Sequence, residues 1–519
     1  MSVLKRNVVA NYFGQGWTAL MGLAFVPLYI KYLGIESYGL IGLFAVLTAW
    51  LSLLDIGMTP TLSREMARFT GGSHTAQSIR DLLRTIEFIT MTIAVLIAGA
   101  VAFSSIWVAT YWLKADMLSV EVVAQAFGIM GLVTALRFTE TIYRSSLIGL
   151  QRQVLLNIVD SSMATLRGLG AVAVLAWISP TIQAFFLWQG LLSALNLGIL
   201  ASTTYLSLPR GDRMARFSLK ALRGVWRFAG GMLGITLLSL LLTQVDKILL
   251  SKLLSLSEYG YYALAVAVAS ALYMLIKPIT QAFYPRLCEL YAGGSAAALA
   301  DGYHQAAQLV SVLAGSVAVV MILFSETFLR LWTQDHHLAG SVAPLLSLLM
   351  LGNLLNGLMY VPYQTQLVHG WTGLALRITG VAVLIIIPAI LWVTPRYGAE
   401  GAAWVRIGLN AGYVLIGVHF MYRRILTSEK LRWYWEDVVA PLGVATIAAL
   451  TVKWFWPVVD LQMSQVLLLS AAFSVTVSSA TIAAGRTRLQ LARVFRRHWQ
   501  KCRTQPQLTK PQPASRSRT

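Results

Sequence analysis

Charged side chains are scarce in this chain of 519 residues. Only 12% of the residues are Asp, Glu, Lys or Arg, whereas 57% are hydrophobic, and the mean hydropathy is +0.66. Apolar runs of spanning length recur almost from end to end, since about 20 helical residues cover about 30 Å of bilayer. A membrane β-barrel would instead show short segments of alternating polarity. The sequence therefore predicts an all-α polytopic membrane protein.

Acidic residues are half as frequent as basic ones. The chain has 21 Asp and Glu against 41 Lys and Arg, which gives a formal net charge of +20. In a soluble protein this excess would suggest a nucleic-acid partner. Here the basic residues concentrate in particular loops and in the tail, so we expect them to set the membrane topology and to meet anionic lipid head groups. We expect no nucleic-acid partner.

Cysteine and histidine are too few and too scattered to indicate catalysis. Cys288 and Cys502 both fall on the side predicted to be cytoplasmic, so we expect no disulfide. The seven histidines have no metal-ligand spacing, and the chain has no Gly-x-x-x-x-Gly-Lys-Ser/Thr loop for a nucleotide phosphate. The sequence predicts no enzyme, no cofactor and no metal. An energy source would be an ion gradient, the membrane potential or removal of the cargo downstream.

About fourteen segments have the length and composition of spanning helices. They lie near 8–31, 38–61, 82–109, 121–148, 153–177, 181–205, 229–254, 259–284, 303–332, 339–367, 371–393, 399–422, 437–457 and 463–484. Loops rich in Lys and Arg alternate with loops that are nearly bare. By the positive-inside rule, this alternation predicts that both termini are cytoplasmic.

The predicted spans form two blocks of six and a final pair. We expect an N-terminal six-helix bundle over 1–205, a basic amphipathic linker helix over 206–228 and a C-terminal six-helix bundle over 229–424. Two extra helices over 425–485 and a basic, disordered tail over 486–519 complete the chain. The blocks resemble repeats, because Tyr38-Gly39 aligns with Tyr259-Gly260. Repeats of this kind place a substrate site between the halves, near the midplane.

Charges inside the predicted helices are the candidates for function. Each costs roughly 2.5–3.5 kcal/mol at membrane depth by insertion scales, so each needs a partner or a wet cavity. The cations that we predict to line a substrate cavity are Lys277, Arg167, Lys247, Arg137 and Arg377. The acids that we assign to ion coupling or to ion pairs are Asp55, Asp160, Asp246 and Glu140. A surplus of deep cations suits an anionic cargo better than a cationic drug.

Each of these charges also has a purely structural interpretation. Arg137, Glu140 and Arg144 lie three and four residues apart on one helix, where they would neutralise one another. Lys277 precedes Pro278, where a kink would free a carbonyl, but its side chain would also reach the cytoplasmic interface. Arg377 lies near a helix start and would reach the interface more readily still.

Polar residues add a second set of cavity candidates. The first predicted helix carries Asn11, Gln15 and Thr18 at helical spacing. Such a stripe either lines a path or forms hydrogen bonds with a neighbouring helix. Gln281, four residues after Lys277, is the fourth polar residue that we predict to line the cavity.

Several motifs resemble those of the polysaccharide (O-antigen) flippases, which belong to the multidrug/oligosaccharidyl-lipid/polysaccharide exporter superfamily. These motifs are Leu54-Asp55-Ile56-Gly57 with Arg64-Glu65, Val245-Asp246-Lys247-Ile248 with Glu258-Tyr259-Gly260, and Pro395-Arg396-Tyr397-Gly398-Ala399-Glu400-Gly401-Ala402-Ala403. The resemblance covers roughly residues 1–485. It departs from the usual pattern at Trp404, where smaller residues are common.

The resemblance implies a MATE-like fold of two six-helix bundles plus two C-terminal helices. It also implies transfer of an undecaprenyl-diphosphate-linked oligosaccharide from the cytoplasmic to the periplasmic leaflet of a bacterial inner membrane, by alternating access. The product would be O-antigen, capsule or exopolysaccharide, and a polymerase and a chain-length regulator are implied partners. Two alternatives stay open: a related exporter of a peptidoglycan lipid precursor or a drug, and a membrane glycan polymerase, for which the outer loops are short.

Overall fold

The chain is almost entirely helical in the computed structural model. The structure describes residues 3–51, 55, 58–70, 74–218, 240–241, 243–371, 373–456 and 462–489. Eleven helical stretches in this part of the chain are long and apolar enough to cross a membrane. The protein is therefore an all-α polytopic membrane protein, as the sequence predicts. The predicted fourteen spans are consistent with this organisation, although their number is not fixed by the described residues.

The α-helices follow one another through the described residues, and a short helical stretch over 485–489 comes last. In chain order they are α1 (Val3–Ala24), α2 (Val26–Leu51), α3 (Met58–Thr70), α4 (Ala76–Trp107), α5 (Val120–Gly149), α6 (Gln153–Trp177), α7 (Ile182–Ser207), α8 (243–253), α9 (Leu256–Ser270), α10 (Leu272–Ala292), α11 (Ala296–Leu323), α12 (Ser325–Thr333), α13 (His336–Leu358), α14 (Tyr360–Val368), α15 (Gly373–Gly412), α16 (Val418–Tyr422), α17 (Lys430–Arg432), α18 (Ala440–Phe455) and α19 (Gln462–Ala483). Three π-helical turns cover Val108–Trp112, Tyr413–Gly417 and Trp433–Val439.

Two glycines divide long helices at the places where the sequence predicts loops. Gly34 in α2 has a φ of 78°, and Gly398 in α15 has a φ of 57°. Backbone at such positive φ favours glycine, because a side chain there would clash with the backbone. Each break therefore lies between two of the predicted spans. The breaks separate the predicted spans 8–31 and 38–61, and the predicted spans 371–393 and 399–422.

The first and second halves of the chain meet where α2 packs against α9. A Cβ atom at Gly39 would lie 2.6 Å from the carbonyl oxygen of Leu256, and one at Gly260 would lie 2.3 Å from that of Ile35. Only glycine allows two backbones to approach so closely. The repeat-related Tyr38-Gly39 and Tyr259-Gly260 thus come together at this contact.

Backbone and side-chain hydrogen bonds join the halves beside these glycines. The Leu256 N–H donates to the Lys114 carbonyl (2.8 Å), Lys114 Nζ donates to the Leu253 carbonyl (3.1 Å), and Trp112 Nε1 donates to Ser251 Oγ (3.2 Å). We call the surface around Gly34, Lys114 and Ser255 the closed face, because the two halves of the described chain are held together there.

Residues 208–218 lie extended along α4, so the predicted amphipathic linker helix is wrong over this stretch. Three hydrogen bonds hold this stretch against α4. The backbone N–H groups of Arg213, Arg216 and Ser218 donate, in that order, to Gln77 Oε1 (3.2 Å), Asp81 Oδ1 (2.9 Å) and Thr85 Oγ1 (2.9 Å). The acceptors recur every four residues on one face of α4. They satisfy backbone donors that a helix would satisfy internally. The remainder of the predicted linker, 219–228, lies outside the described residues.

Helices α18 and α19 attach to α11 through a buried polar cluster. His304 of α11 contacts Asp437 through Nδ1 and Glu429 through Nε2 (3.0 Å), and Gln308 donates to Asp437 (3.0 Å). Burial alone would raise the pKa of Glu429, but its bonds with His304 and Arg432 outweigh burial and hold that pKa below its usual value. The cluster anchors the last helices to the second half of the chain.

Removal of the Asp81 carboxylate should release the strand at 208–218. We expect Asp81→Ala to raise the rate of tryptic cleavage at Arg213 and Arg216 severalfold, because the variant loses the Arg213 ion pair (2.7 Å) and the Arg216 backbone bond. Mass spectrometry of a limited digest of the detergent-purified protein measures this rate. Asp212→Ala, which changes an exposed acid of the same stretch, is the matched control. Equal rates in the two variants would contradict the docked strand.

Gly260→Ala should open the closed face. The added methyl group would lie 2.3 Å from the Ile35 carbonyl oxygen, so α2 and α9 must separate. We expect a cysteine introduced by Ala263→Cys, in a background with Cys288 and Cys502 changed to serine, to react severalfold faster with a maleimide. Gly128→Ala is the control, because a Cβ there meets no atom within 4 Å. Unchanged labelling in Gly260→Ala would show that the glycine contact does not hold this face together.

Candidate functional site

The first group of deep charges joins α5, α6 and α7. Glu140 accepts a hydrogen bond from Asn196 Nδ2 (2.6 Å) and lies 3.5 Å from Arg167 Nη2. Arg144 pairs with Asp160 of α6. The ion pairs thus join neighbouring helices, whereas the structural interpretation from sequence placed them within α5. The partners differ from that interpretation because these side chains point across the bundle rather than along their own helix.

Arg137 is the cation of this group that has no carboxylate within 4 Å among the described residues. Its guanidinium donates to Gln189 Oε1 (3.0 Å) and to Ser193 Oγ (3.5 Å). Its Cζ atom lies 4.8 Å from the centroid of the Phe44 ring, which is cation–π geometry. The group has three arginines, Arg137, Arg144 and Arg167, and two carboxylates, Glu140 and Asp160. It therefore carries a net positive charge inside the first half of the chain.

Three polar residues of α7 in this group were missed by sequence reasoning. Gln189, Ser193 and Asn196 all contact the charges of α5, and all three are buried. They lie at i, i+4 and i+7, the same spacing as the stripe that we noted on the first helix. The helical period would have revealed them.

The second group is centred on Asp246 of α8, in the other half of the chain. Asp246 is 5% exposed; it accepts a hydrogen bond from the Tyr262 hydroxyl (2.9 Å) and lies 3.2 Å from Arg406 Nη1. Because adjacent residues cannot share a helix face, Lys247 points elsewhere, and its Nζ donates to Gln244 Oε1 (2.9 Å). Asp246 therefore has a resident cation of its own.

Lys247 lines a cavity of about 270 Å³ between the two halves of the chain. Tyr38 and Gly42 of α2 and Tyr259 of α9 contribute to the same wall. The cavity therefore lies next to the glycine contact of the closed face. Lys247 is thus a predicted cavity cation that lies at the boundary between the halves.

Two further predicted cations are exposed and have no carboxylate within 4 Å among the described residues. Lys277 lies on α10 with Gln281 one helical turn later, and Arg377 lies near the start of α15. Lipid exposure of a charged side chain at membrane depth costs roughly 2.5–3.5 kcal/mol, so each of these side chains faces an aqueous path or reaches the polar interface. The cavity positions of Lys277 and Arg377 stay predictions.

The polar stripe on α1 divides into two parts. Asn11 forms hydrogen bonds with α6, since its Nδ2 donates to Gln153 Oε1 (2.6 Å) and its Oδ1 accepts from Asn157 Nδ2 (2.6 Å). Asn11 thus takes the interhelical alternative. Gln15 and Thr18 are exposed, and their place in a cavity wall stays a prediction.

Asp55 lies just before α3 and binds the first turn of that helix. Its Oδ1 accepts a hydrogen bond from Thr59 Oγ1 (2.6 Å), and both carboxylate oxygens lie 3.1 Å from the Thr59 backbone nitrogen. This is the arrangement of a helix cap. Of the four predicted acids, Asp55 thus accepts hydrogen bonds from a helix terminus, whereas the other three lie next to arginines.

Comparison with known proteins identifies relatives along the sequence. Residues 4–291 match the family described as polysaccharide biosynthesis protein. A Shigella flexneri protein described as an O-antigen transporter is 21% identical over 415 residues, which cover 79% of this chain and 96% of that protein.

Solved structures of low sequence identity share the fold. The lipid II flippase MurJ in an inward closed conformation superposes with a TM-score of 0.68 at 12% identity, covering 92% of this chain and 98% of that one. An inward-facing multidrug transporter of the MATE family gives 0.62 at 15% identity, covering 80% and 96%. The predicted MATE-like fold is confirmed.

The Asp246–Arg406 pair offers a test of the second group. Asp246→Asn or Arg406→Gln alone should cost about 3–5 kcal/mol of stability, because each leaves a buried charge unpaired. The double variant should lose less than either single variant. Thermal melting of the purified protein ranks the stabilities of the wild type, the two single variants and the double variant. The exposed pair Arg286–Glu289 is the control, since neutralising it should change stability by about 0–1 kcal/mol. A double variant that melts below both single variants would contradict a buried pair.

Proposed function

The chain belongs to the polysaccharide biosynthesis protein family, and from this premise we propose that it is a flippase for lipid-linked oligosaccharides. It moves undecaprenyl-diphosphate-linked repeat units from the cytoplasmic to the periplasmic leaflet of a bacterial inner membrane. The repeat units then enter O-antigen, capsule or exopolysaccharide synthesis. A polymerase and a chain-length regulator would act on the delivered units. The chain itself transports its cargo and does not catalyse a reaction.

The surplus of unpaired deep cations is the observation that carries this proposal. Of the seven cations that we assign to membrane depth, Arg144, Arg167 and Arg406 have carboxylate partners. The other four have none within 4 Å among the described residues: Arg137, Lys247, Lys277 and Arg377. A diphosphate brings the negative charge that such a set lacks. A cationic drug would meet repulsion at the same positions.

We assign the diphosphate to Lys277 and Lys247, with Arg137 and Arg167 making the first half of the chain positive. Lys277 is exposed on α10, and Lys247 lines the cavity between the halves. The exposed Gln15, Thr18 and Gln281 supply hydrogen-bonding groups along the path. Crossing the hydrocarbon unaided would strip water from both phosphate and sugar, and this lining replaces that water.

The closed face supports alternating access. We propose that it is periplasmic, because its loops carry few basic residues and the positive-inside rule places both termini in the cytoplasm. The structure then represents a state open to the cytoplasm. Cargo release requires α2 and α9 to separate at Gly39 and Gly260, where their backbones are in close contact.

A peptidoglycan lipid precursor is the second candidate cargo. It presents the same lipid-linked diphosphate, so the same lysines would bind it, and the chain shares its fold with a structure described as a lipid II flippase. The two cargoes differ in the consequence of losing the protein. Loss of surface polysaccharide in cells with intact walls indicates the first cargo, and lysis indicates the second.

Removal of the two lysines should strongly reduce transport. We expect Lys247→Ala/Lys277→Ala to reduce surface glycan at least about tenfold, because each charge-assisted bond to phosphate contributes about 1.5–3 kcal/mol. The double variant leaves the Arg167–Glu140 pair intact, and adding Arg167→Ala should remove the remaining glycan. Immunoblots of surface polysaccharide and of the inserted protein in a deletion strain measure both quantities.

The matched control is Arg396→Ala, which removes an arginine stacked on Trp392 at 4.5 Å and assigned no role in the cavity. It should leave surface glycan unchanged. Normal glycan from the triple variant at normal protein levels would rule out a cationic path for the diphosphate.

A further inference from the structure

A second cavity, of about 320 Å³, lies between α13, α14 and α15, and none of the charges described above lines it. Ligand cavities typically measure about 300–1,000 Å³, so its size suits a small group or one unit of a larger cargo. Its polar wall consists of Asn356, Tyr360, Tyr363, Gln366, Thr379 and Tyr413. No lining residue carries a formal charge, which sets this cavity apart from the surroundings of Lys247 and Lys277.

Two of these side chains carry buried oxygens without a hydrogen-bond partner. Gln366 is only 3% exposed, and neither its Oε1 nor the hydroxyl of Tyr413 has a partner in the part of the chain that the structure describes. Buried polar atoms in proteins are nearly always satisfied. An amide oxygen accepts a hydrogen bond, and a phenol hydroxyl donates or accepts one. The cavity therefore offers a ligand both an acceptor and a donor.

The aromatic wall is braced from helix α10. The ring centroids of Tyr273 and Tyr360 lie 5.8 Å apart, and the Tyr273 hydroxyl lies 3.2 Å from Asn353 Oδ1 and 3.1 Å from Asn356 Oδ1. Asn356 in turn donates to Asn410 Oδ1 (3.2 Å). Residues held on two sides keep their geometry when a ligand binds, which lowers the cost of ordering the site.

We propose that this cavity binds an uncharged sugar ring of the transported glycan, an inference that rests on the proposed function. Tyrosine rings offer apolar faces to the C–H face of a sugar, and the amides and hydroxyls pair with its hydroxyl groups. A hydrocarbon chain would leave the Gln366 and Tyr413 oxygens unpaired at a cost. A phosphate would find no cation in the wall.

The position of Tyr273 connects this cavity with the proposed diphosphate site. Lys277 follows Tyr273 by four residues on α10, a rise of about 6 Å along the helix. Tyr273 contacts the cavity wall, whereas Lys277 is exposed one turn further on. A diphosphate at Lys277 thus places the first sugars of the glycan on the side of α10 that leads to Tyr360.

The experiment compares two lipids with the full-length protein purified in detergent. One probe is the lipid-linked repeat unit extracted from cells depleted of this protein, and the other is undecaprenyl diphosphate without sugar. Binding is measured by thermophoresis for the wild type, for Tyr413→Phe and for Gln366→Leu/Tyr413→Phe. We expect the double variant to bind the glycan-bearing lipid about tenfold more weakly, with unchanged binding of the sugar-free lipid.

Tyr397→Phe is the matched control, because it removes the same hydroxyl from an exposed tyrosine outside the cavity. It should bind both lipids like the wild type. Tyr413→Phe is nearly isosteric, so its smaller but selective loss of glycan-lipid binding supports the site even where the double variant melts at a lower temperature.

The other outcomes overturn the inference in distinguishable ways. Variants that bind the glycan-bearing lipid like the wild type show that the cavity does not take sugar. An equal loss for both lipids shows that it takes the lipid or acts through the fold. A wild-type protein that binds neither lipid contradicts the proposed function itself, and the sugar site with it.

Discussion

A charge inside an apolar helical bundle has to be paired, hydrated or used, and the rest of this structure depends on how that requirement is met. Arg406 and Arg167 are paired with Asp246 and Glu140 through contacts that cross between helices. Lys277 has no such partner among the described residues and lies exposed. Paired charges fix the helices within each half of the chain, whereas the unpaired cations are the ones that we propose for binding an anionic cargo.

The contacts between the halves differ in kind from the contacts within them. Each half holds its helices with buried ion pairs and amide bonds, whereas the closed face depends on glycine packing and a few hydrogen bonds around Lys114. Rearrangement of the buried pairs would cost several kcal/mol each, whereas separation at the closed face would break a few hydrogen bonds and expose apolar side chains such as Leu256 and Tyr259. This difference favours rigid halves that move against each other.

Local sequence signals predicted the breaks in the chain well and the partners poorly. Gly34 and Gly398 separate spans as expected, because glycine at positive φ is a property of the residue itself. Helix geometry also requires the side chains of the adjacent residues Asp246 and Lys247 to point to different faces of α8. The choice of Arg167 for Glu140, and the binding of residues 208–218 to Asp81, depend on side chains distant in sequence. The hydrophobic periodicity of one segment does not contain that information. The cavity positions predicted for Gln15, Thr18 and Gln281 stay predictions.

The central claim is that this protein moves a lipid-linked glycan across the membrane. The most direct measurement assigns that lipid to a leaflet in cells depleted of the protein, by labelling the exposed glycan on intact cells and on inverted membrane vesicles. The account predicts that the unpolymerised lipid-linked glycan accumulates on the cytoplasmic face while surface polymer is lost. Normal arrival of the glycan at the periplasmic face would contradict it, and would assign the transport step to another protein.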